Sequence, residues 1–248
     1  MIQKTDFEDI KAEILNRAKA AKACTEQYSR AYKSETLQEL CSVIKDNFNW
    51  CFNNKVITSD LLIQYRKDFA QNDIFINISV RCGFLLCSNA RVKALGNVTV
   101  EACDNATVEA SGNATVKAWG NATVKAYGNT TVEAWGNATV EAWDNAIVKA
   151  YSNAKVKAYG NAKVKAYENA TVEAYSNTIV EAWDNTTVKA YGNVTVKAYD
   201  NTKVKAYGNV YCTSYRIIEC KLSNNAIYRV KSTNTVHYSS DNINFIKQ

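Results

Sequence analysis

GNATVKAW GNATVKAY GNTTVEAW GNATVEAW, residues 112–143, places four octapeptides end to end and decides the fold. The same unit extends in both directions, from Ser88 to Tyr215, and gives sixteen consecutive copies in a chain of 248 residues. Position two is Asn in all sixteen copies, position five is Val in fifteen, and position seven is Ala in fifteen. A repeat this short and regular is typical of a solenoid, in which each unit packs only against its neighbours.

The period of eight predicts strands. Because eight is even, each position keeps the same side of an extended backbone from one unit to the next. Positions three, five and seven (Ala, Val, Ala) then face one way, and positions four, six and eight (Thr, Lys or Glu, Tyr or Trp) face the other. A helix of 3.6 residues per turn would spread the apolar positions around its circumference, so the pattern argues against helices here.

Positions one and two form the corner between successive strands. Position one is Gly in eight units and Asp, Ser or Glu in the other eight, followed always by Asn. Asn tolerates a left-handed backbone better than other residues with a side chain, and its amide can also bond to a neighbouring coil. Either property explains the Asn.

The charges at position six predict the number of octapeptides per coil. From Lys93 to Lys205 they read K E E K K E E K K K E E K K K, and units two apart have opposite signs in 11 of 13 pairs. Units one apart are opposite in only 6 of 14 pairs. Because opposite charges stabilise neighbouring strands and like charges do not, the pattern favours sixteen residues per coil. Eight coils spaced by about 4.8 Å would make a rod of roughly 40 Å.

The flanking segments predict caps for this mainly β, two-faced solenoid. Residues 1–87 are expected to form a small helical module with lead-in strands at 74–87. Its first helix would start at a capping box, Thr5 and Glu8, its second at Ser34, and its third at Thr58 or Ser59. Residues 88–215 form the solenoid, and residues 216–248 an irregular β cap at the far end. Such caps would cover the unpaired strand edges that stacked coils leave exposed.

Aromatic residues at position eight are the candidate contact surface. Thirteen of the sixteen units carry Tyr or Trp there, and parity places these rings outside, in one column on each face. Rings that stack along the rod would stabilise it and shield its backbone. A contiguous aromatic stripe is also typical of a contact surface. One predicted column is Trp119, Trp135, Tyr151, Tyr167, Trp183 and Tyr199; the other is Tyr127, Trp143, Tyr159, Tyr175, Tyr191 and Tyr207.

The sequence offers no constellation for catalysis or for a cofactor. The position-six carboxylates and amines are expected on open faces, paired with each other, and His237 has no catalytic partners in the pattern. The eight cysteines lack C-x-x-C spacing, so no metal site is predicted. We therefore expect a protein that is not an enzyme.

Composition also bounds location and partners. The net charge of +6 is spread along the chain and not concentrated in one patch. The position-six side chains beside the aromatic columns also alternate in sign, which argues against nucleic acid as a partner. No apolar run reaches the roughly 18 residues of a membrane helix, and the N-terminus lacks a signal-peptide pattern. A cytoplasmic protein without membrane contact is expected.

Three blocks of the sequence resemble a known group. They are KAEILNRAKAAKAC and LCSVIKDNFNWCFNNKVIT in residues 11–58, the GNATVKAY and GNATVEAW octapeptides, and the tail YCTSYRIIECKLSNNAIYRV at 211–230. The combination resembles octapeptide-repeat proteins encoded by gut anaerobes, often near phage or mobile-element genes. The resemblance spans nearly the whole chain. It implies a variable number of repeats between fixed caps, and a mobile-element accessory, but assigns no activity or site residue.

Three functions follow as hypotheses. The leading one is a non-catalytic interaction or scaffold protein that displays its helical module on a rigid rod and binds a protein of the host. The second is a structural protein that self-assembles into dimers or fibres through its aromatic columns. The third is a nucleic-acid binder that uses the three predicted helices, although none of them is distinctly basic.

Overall fold

The computed structural model describes residues 4–239 and 244–245, with six α-helices followed by a β-solenoid of about nine turns. The helices are α1 (Lys4–Ala20), α2 (Thr25–Lys33), α3 (Leu37–Asp46), α4 (Phe48–Asn53), α5 (Ser59–Gln64) and α6 (Arg66–Ala70). The strands are β1 (Ile74–Ile76), β2 (Val80–Ser88), β3 (Arg91–Cys103), β4 (Thr107–Gly112), β5 (Thr115–Ala118), β6 (Thr123–Ala126), β7 (Thr131–Ala134), β8 (Thr139–Ala142), β9 (Ile147–Ala150), β10 (Lys155–Ala158), β11 (Lys163–Ala166), β12 (Thr171–Ala174), β13 (Ile179–Ala182), β14 (Thr187–Tyr191), β15 (Thr195–Ala198), β16 (Lys203–Tyr207), β17 (Tyr211–Ser214), β18 (Glu219–Ser223), β19 (Ile227–Val230), β20 (Thr235–Tyr238) and β21 (Asn244–Phe245).

The predicted coil of sixteen residues is confirmed. Within the array each strand pairs in parallel with the strand sixteen residues further on, for example Val140 with Val156 and Val156 with Val172. Alternate strands therefore build two outer faces. We call the face of β4, β6, β8, β10, β12, β14, β16 and β18 face A. The face of β5, β7, β9, β11, β13, β15, β17 and β19 is face B. The long strand β3 contributes to both faces.

The inward positions fill the space between the faces, as parity predicts. Apart from the partly buried Ala90 of the first unit, Val at position five and Ala at positions three and seven are almost completely buried along the array and form one continuous core. Where position three is Thr, the hydroxyl is buried but bonded: Thr130 Oγ1 donates to the Tyr127 carbonyl at 2.6 Å, and Thr178 repeats this with Tyr175. A polar side chain is tolerated there because its one donor is satisfied.

At the corner, the left-handed backbone belongs to position one and not to the Asn at position two. Position one takes the left-handed backbone, with φ of 58° at Asp104, 66° at Gly120 and 59° at Glu168. Among the Asn residues at position two of the array, only Asn89 has a positive φ. The Asn amides instead bond along the rod, Nδ2 of Asn129 to Oδ1 of Asn113 at 3.4 Å and Asn209 to Asn193 at 3.1 Å. The second explanation, bonding between coils, is therefore the correct one.

The helical module differs from expectation in its boundaries. Lys4 is already helical, so the capping box at Thr5 is wrong. Ser34 ends α2 rather than starting a helix, and Thr36 caps α3 by accepting a hydrogen bond from the Glu39 amide. Thr58 caps α5 as predicted. The short helices α4 and α6, and α2, were not anticipated, and within the described residues none of the helices is long and apolar enough to cross a membrane.

The two ends of the solenoid are covered. Strand β2 joins two cores, because Leu85 and Cys87 point into the solenoid while Phe84 and Leu86 pack among the helices. At the other end, β18 and β19 continue the sixteen-residue register beyond the octapeptides. Lys203 pairs with Glu219 of β18, and Tyr211 pairs with Ile227 of β19. Strands β20 and β21 then pair antiparallel with β19 and β18. They bond to the edge that the last coil would otherwise expose.

Candidate binding surface

The aromatic columns arise from the end of each repeat strand. The position-eight residue follows the buried Ala at position seven and precedes the left-handed corner residue. Its amide donates to the position-seven carbonyl of the coil before it, as in Trp135 to Ala118 and Tyr151 to Ala134, both 2.9 Å. This bond fixes each ring directly above the previous one, half-buried and turned outward.

Both columns stack without interruption over six coils. On face B the ring centroids of successive members lie 4.1 to 5.4 Å apart, with interplanar angles of 7° or 8°. On face A they lie 4.7 to 5.6 Å apart, at 8° to 13°. The face B column is Trp119, Trp135, Tyr151, Tyr167, Trp183 and Tyr199, and the face A column is Tyr127, Trp143, Tyr159, Tyr175, Tyr191 and Tyr207. The membership of both columns agrees with the sequence prediction.

Stacking and exposure coexist in these columns. Each ring pair stabilises the rod by roughly 0.5–1 kcal/mol beyond the apolar area it buries. Because the coil spacing places the rings face to face, only their edges and outer rims reach solvent. The surface available to a partner is therefore a ribbed aromatic strip whose ribs repeat with each coil.

Rows of ion pairs run beside the strips. Each joins residues sixteen apart, as the charge pattern predicted: Lys149 to Glu133 at 3.0 Å and Lys197 to Glu181 at 3.0 Å on face B, and Lys189 to Glu173 at 3.2 Å on face A. The hydrogen bond from Lys197 and its charge lower the pKa of Glu181, and the bond to Glu133 raises the pKa of Lys149. These groups stay charged at neutral pH and pair with each other.

Glu101 is an exception that parity alone could not reveal. It occupies position six on face B, yet it is completely buried, because helix α4 lies over it. The Asn49 side-chain amide contacts both the Glu101 carboxylate and the Lys117 ammonium, and Trp119 Nε1 donates to Glu101 Oε2 at 2.9 Å. Burial raises the pKa of Glu101 to about 7, against the opposing effects of the Trp119 hydrogen bond and the Lys117 charge. The expectation that position-six charges all lie on open faces is wrong for this residue.

The helical module contains an apolar cavity of about 280 Å³. Its walls include Ile14, Tyr28, Leu40 and Trp50, and Asn47 Nδ2 donates to Gln27 Oε1 at 3.2 Å on its polar side. Sequence reasoning missed this cavity, because it depends on how helices α1 to α4 meet.

The titratable groups outside these features were also compared for metal-binding geometry. In the part of the chain that the structure describes, no group of three or more His, Cys, Asp or Glu side chains is placed to hold a metal ion. His237 stacks on the buried Tyr228 ring, with centroids 5.7 Å apart, at the far end of the rod. Burial raises the pKa of the Cys41 and Cys51 thiols to about 12, which keeps them protonated and unreactive.

Fold and surface together define a repeat-built, two-faced parallel β-solenoid with a helical module at one end. Protein-family models, curated proteins and solved structures were each compared with the chain, and none of them matches it.

Proposed function

We propose that the protein is a non-catalytic interaction or scaffold protein whose contact surface is the aromatic and charged exterior of the solenoid. The observation that supports this is the persistence of half-buried aromatic rings over six consecutive coils on each face. An exterior of stacked rings flanked by paired charges suits recognition of a protein surface, since interface cores are rich in Tyr and Trp.

Rigidity supports the same proposal. Every coil is tied to the next by backbone bonds, buried Val and Ala, and ring stacking, so the surface is pre-organised and loses little conformational freedom on binding. The solenoid also holds the helical module in a fixed position, because β2 belongs to both cores. As a mobile-element accessory of the kind the sequence resemblance implies, the protein would present this surface to a protein of the host.

The test is capture of a partner by the full-length chain and by a variant with altered aromatic ribs. The double variant W135T/W183T removes two face B rings, and W143T/Y175T removes two face A rings. Far-ultraviolet circular dichroism checks that each rod stays folded. Specific retention of a protein by the unaltered chain that is lost in at least one folded variant supports the proposal. Equal retention by all three chains contradicts it.

A further inference from the structure

The apolar cavity of the helical module owes its space to small side chains. Ala18 of α1, Ala23 of the loop that follows, and Ala31 of α2 all line its wall. Each of them ends at Cβ, so the helices meet without filling the space between them. Voids in packed protein interiors seldom exceed one water molecule. This cavity, at about 280 Å³, has room for about nine waters at ~30 Å³ each.

Polar contacts keep the cavity from collapsing. Arg30 of α2 forms an ion pair with Asp46 of α3, with Nη2 and Oδ2 2.7 Å apart. Asn47 Nδ2, just after α3, donates to Gln27 Oε1 at 3.2 Å. Because these contacts join α2 to α3, α2 cannot move into the space without breaking them. A site that is already formed binds its ligand without the cost of rearrangement.

The wall of the cavity carries no charge. None of the described residues that line it is Asp, Glu, Lys, Arg or His. The Arg30 guanidinium lies next to the polar side, where it donates to Gln27 Oε1 at 2.7 Å, but its charge is paired with Asp46. Burial raises the pKa of the Cys51 thiol in the wall to about 12, so this group is neutral as well. Since a charged ligand would lose its hydration here without gaining a partner, the wall favours a neutral ligand.

The polar side of the cavity offers one donor and one acceptor. Gln27 Oε1 already accepts from Arg30 and Asn47, and Asn47 Nδ2 donates to Gln27 and, at 2.9 Å, to the Val43 carbonyl. Within the residues that the structure describes, Gln27 Nε2 and Asn47 Oδ1 have no hydrogen-bond partner. A ligand group that carries an acceptor beside a donor, as a carboxamide or a lactam does, can bond to both.

The remaining wall suits a planar apolar body. Tyr28 of α2 and Trp50 of α4 contribute two half-buried aromatic rings, and Leu40 and Ile44 of α3 contribute buried aliphatic side chains. Flat aromatic faces pack well against another flat ring. Water in such a space finds few hydrogen-bond partners, so its replacement by an apolar ligand is favourable.

We infer that this cavity is a binding site for a small neutral molecule whose carboxamide or lactam group bonds to Gln27 and Asn47. The planar apolar part of the ligand, on the order of ten non-hydrogen atoms in size, fills the space beside Tyr28 and Trp50. The site shares no residue with either aromatic column and is independent of the contact function proposed above.

The probes for this site are 2-naphthamide and 2-naphthoate, which have nearly the same shape and differ in charge. Isothermal titration calorimetry of the full chain should show saturable binding of 2-naphthamide to a single site, with a dissociation constant on the order of 100 µM or lower. Binding of 2-naphthoate should be at least about tenfold weaker. Equal binding of both probes overturns the inference. So does the absence of saturable 2-naphthamide binding up to about 1 mM, which is the result expected of a cavity that takes only a side chain of a partner protein.

Substitutions in α1 test whether the probe occupies the cavity. Ala18→Leu fills part of the space, while Ala20→Leu, on the exposed side of the same helix, is the matched control. The affinity for 2-naphthamide should fall at least about tenfold in Ala18→Leu and change less than about twofold in Ala20→Leu. Circular dichroism checks that each variant keeps its helices.

Gln27→Glu gives a second variant that leaves the apolar wall and the Oε1 contacts in place. It replaces the Nε2 donor by an acceptor and should also weaken 2-naphthamide binding at least about tenfold. This variant decides the result alone if Ala18→Leu does not fold. Unchanged affinity in Gln27→Glu, or in a folded Ala18→Leu, overturns the inference.

Discussion

Replacement of Glu101 by Gln should remove a pH dependence from the stability of the protein. Burial under helix α4 raises the pKa of this carboxyl from 4.5 to about 7. Its neighbours are Lys117, Trp119, Glu133 and Asn49, and all of them remain in the variant. Because the folded chain holds the proton more tightly than the unfolded chain, the stabilisation is complete below pH 4.5 and is lost as the pH rises to about 7. The difference of about 2.5 in pKa corresponds to ~3 kcal/mol at 1.36 kcal/mol each.

Urea unfolding followed by circular dichroism at pH 5, 6, 7 and 8 measures this effect. The unaltered chain should lose up to ~3 kcal/mol of unfolding free energy between the ends of this range, while Glu101→Gln stays nearly level and is the more stable chain at pH 8. Gln keeps an acceptor for the Trp119 indole, so the variant retains that hydrogen bond. Glu181→Gln is the control, since its lowered pKa contributes stability only above its acidic titration range. Parallel pH profiles for the unaltered chain and Glu101→Gln would refute the reasoning.

Further substitutions test the stacking of the rings and the packing of the corners. Tyr167→Thr removes two ring stacks, with Tyr151 at 5.0 Å and with Trp183 at 4.7 Å. The unfolding free energy should fall by about 1–2 kcal/mol, while the strand signal in circular dichroism stays the same. An unchanged unfolding free energy would mean that the stacks contribute no stability. Gly112→Asp should destabilise more than Gly192→Asp, by about 1–3 kcal/mol in thermal unfolding. A Cβ at Gly112 would lie 2.9 Å from the Gly96 Cα, whereas at Gly192 the nearest atom is 3.6 Å away, and equal costs would count against this packing.

The sequence predicted the regular part of the molecule well, because each repeat packs against neighbours of nearly the same sequence. Parity placed Val and Ala inside and the aromatic residues outside, and the charges of Lys149, Glu133 and their equivalents revealed the coil length. The residue pattern of one repeat therefore shows both its own conformation and the residues that it contacts in the next coil. That redundancy is specific to repeat proteins.

The wrong predictions concern residues whose structure depends on contacts with segments distant in the sequence. Ser34 and Thr36 are both good caps by composition, and only the packing of α2 and α3 decides between them. The sequence left open whether the Asn of the corner takes the left-handed backbone or bonds along the rod, since both Asn and the residue before it tolerate a positive φ. Glu101 looked like every other position-six charge, and nothing in its own repeat shows that helix α4 covers it.

The aromatic residues of the candidate surface were predicted, but the difference between its two faces was not. Ile147 and Ile179 are isolated substitutions when the repeat is read along the chain. Only the pairing of strands sixteen residues apart shows that both lie on face B, in a column of Thr and Lys.

Hydroxyl-radical footprinting of the chain alone and in complex with a captured protein partner tests the central claim, that the aromatic exterior of the solenoid is a contact surface, most directly. We predict that oxidation falls in the complex for the rings of at least one column, Trp183 and Tyr151 on face B or Trp143 and Tyr159 on face A, while oxidation of Tyr32 in the helical module stays the same. Unchanged oxidation of both columns in the complex would contradict the claim.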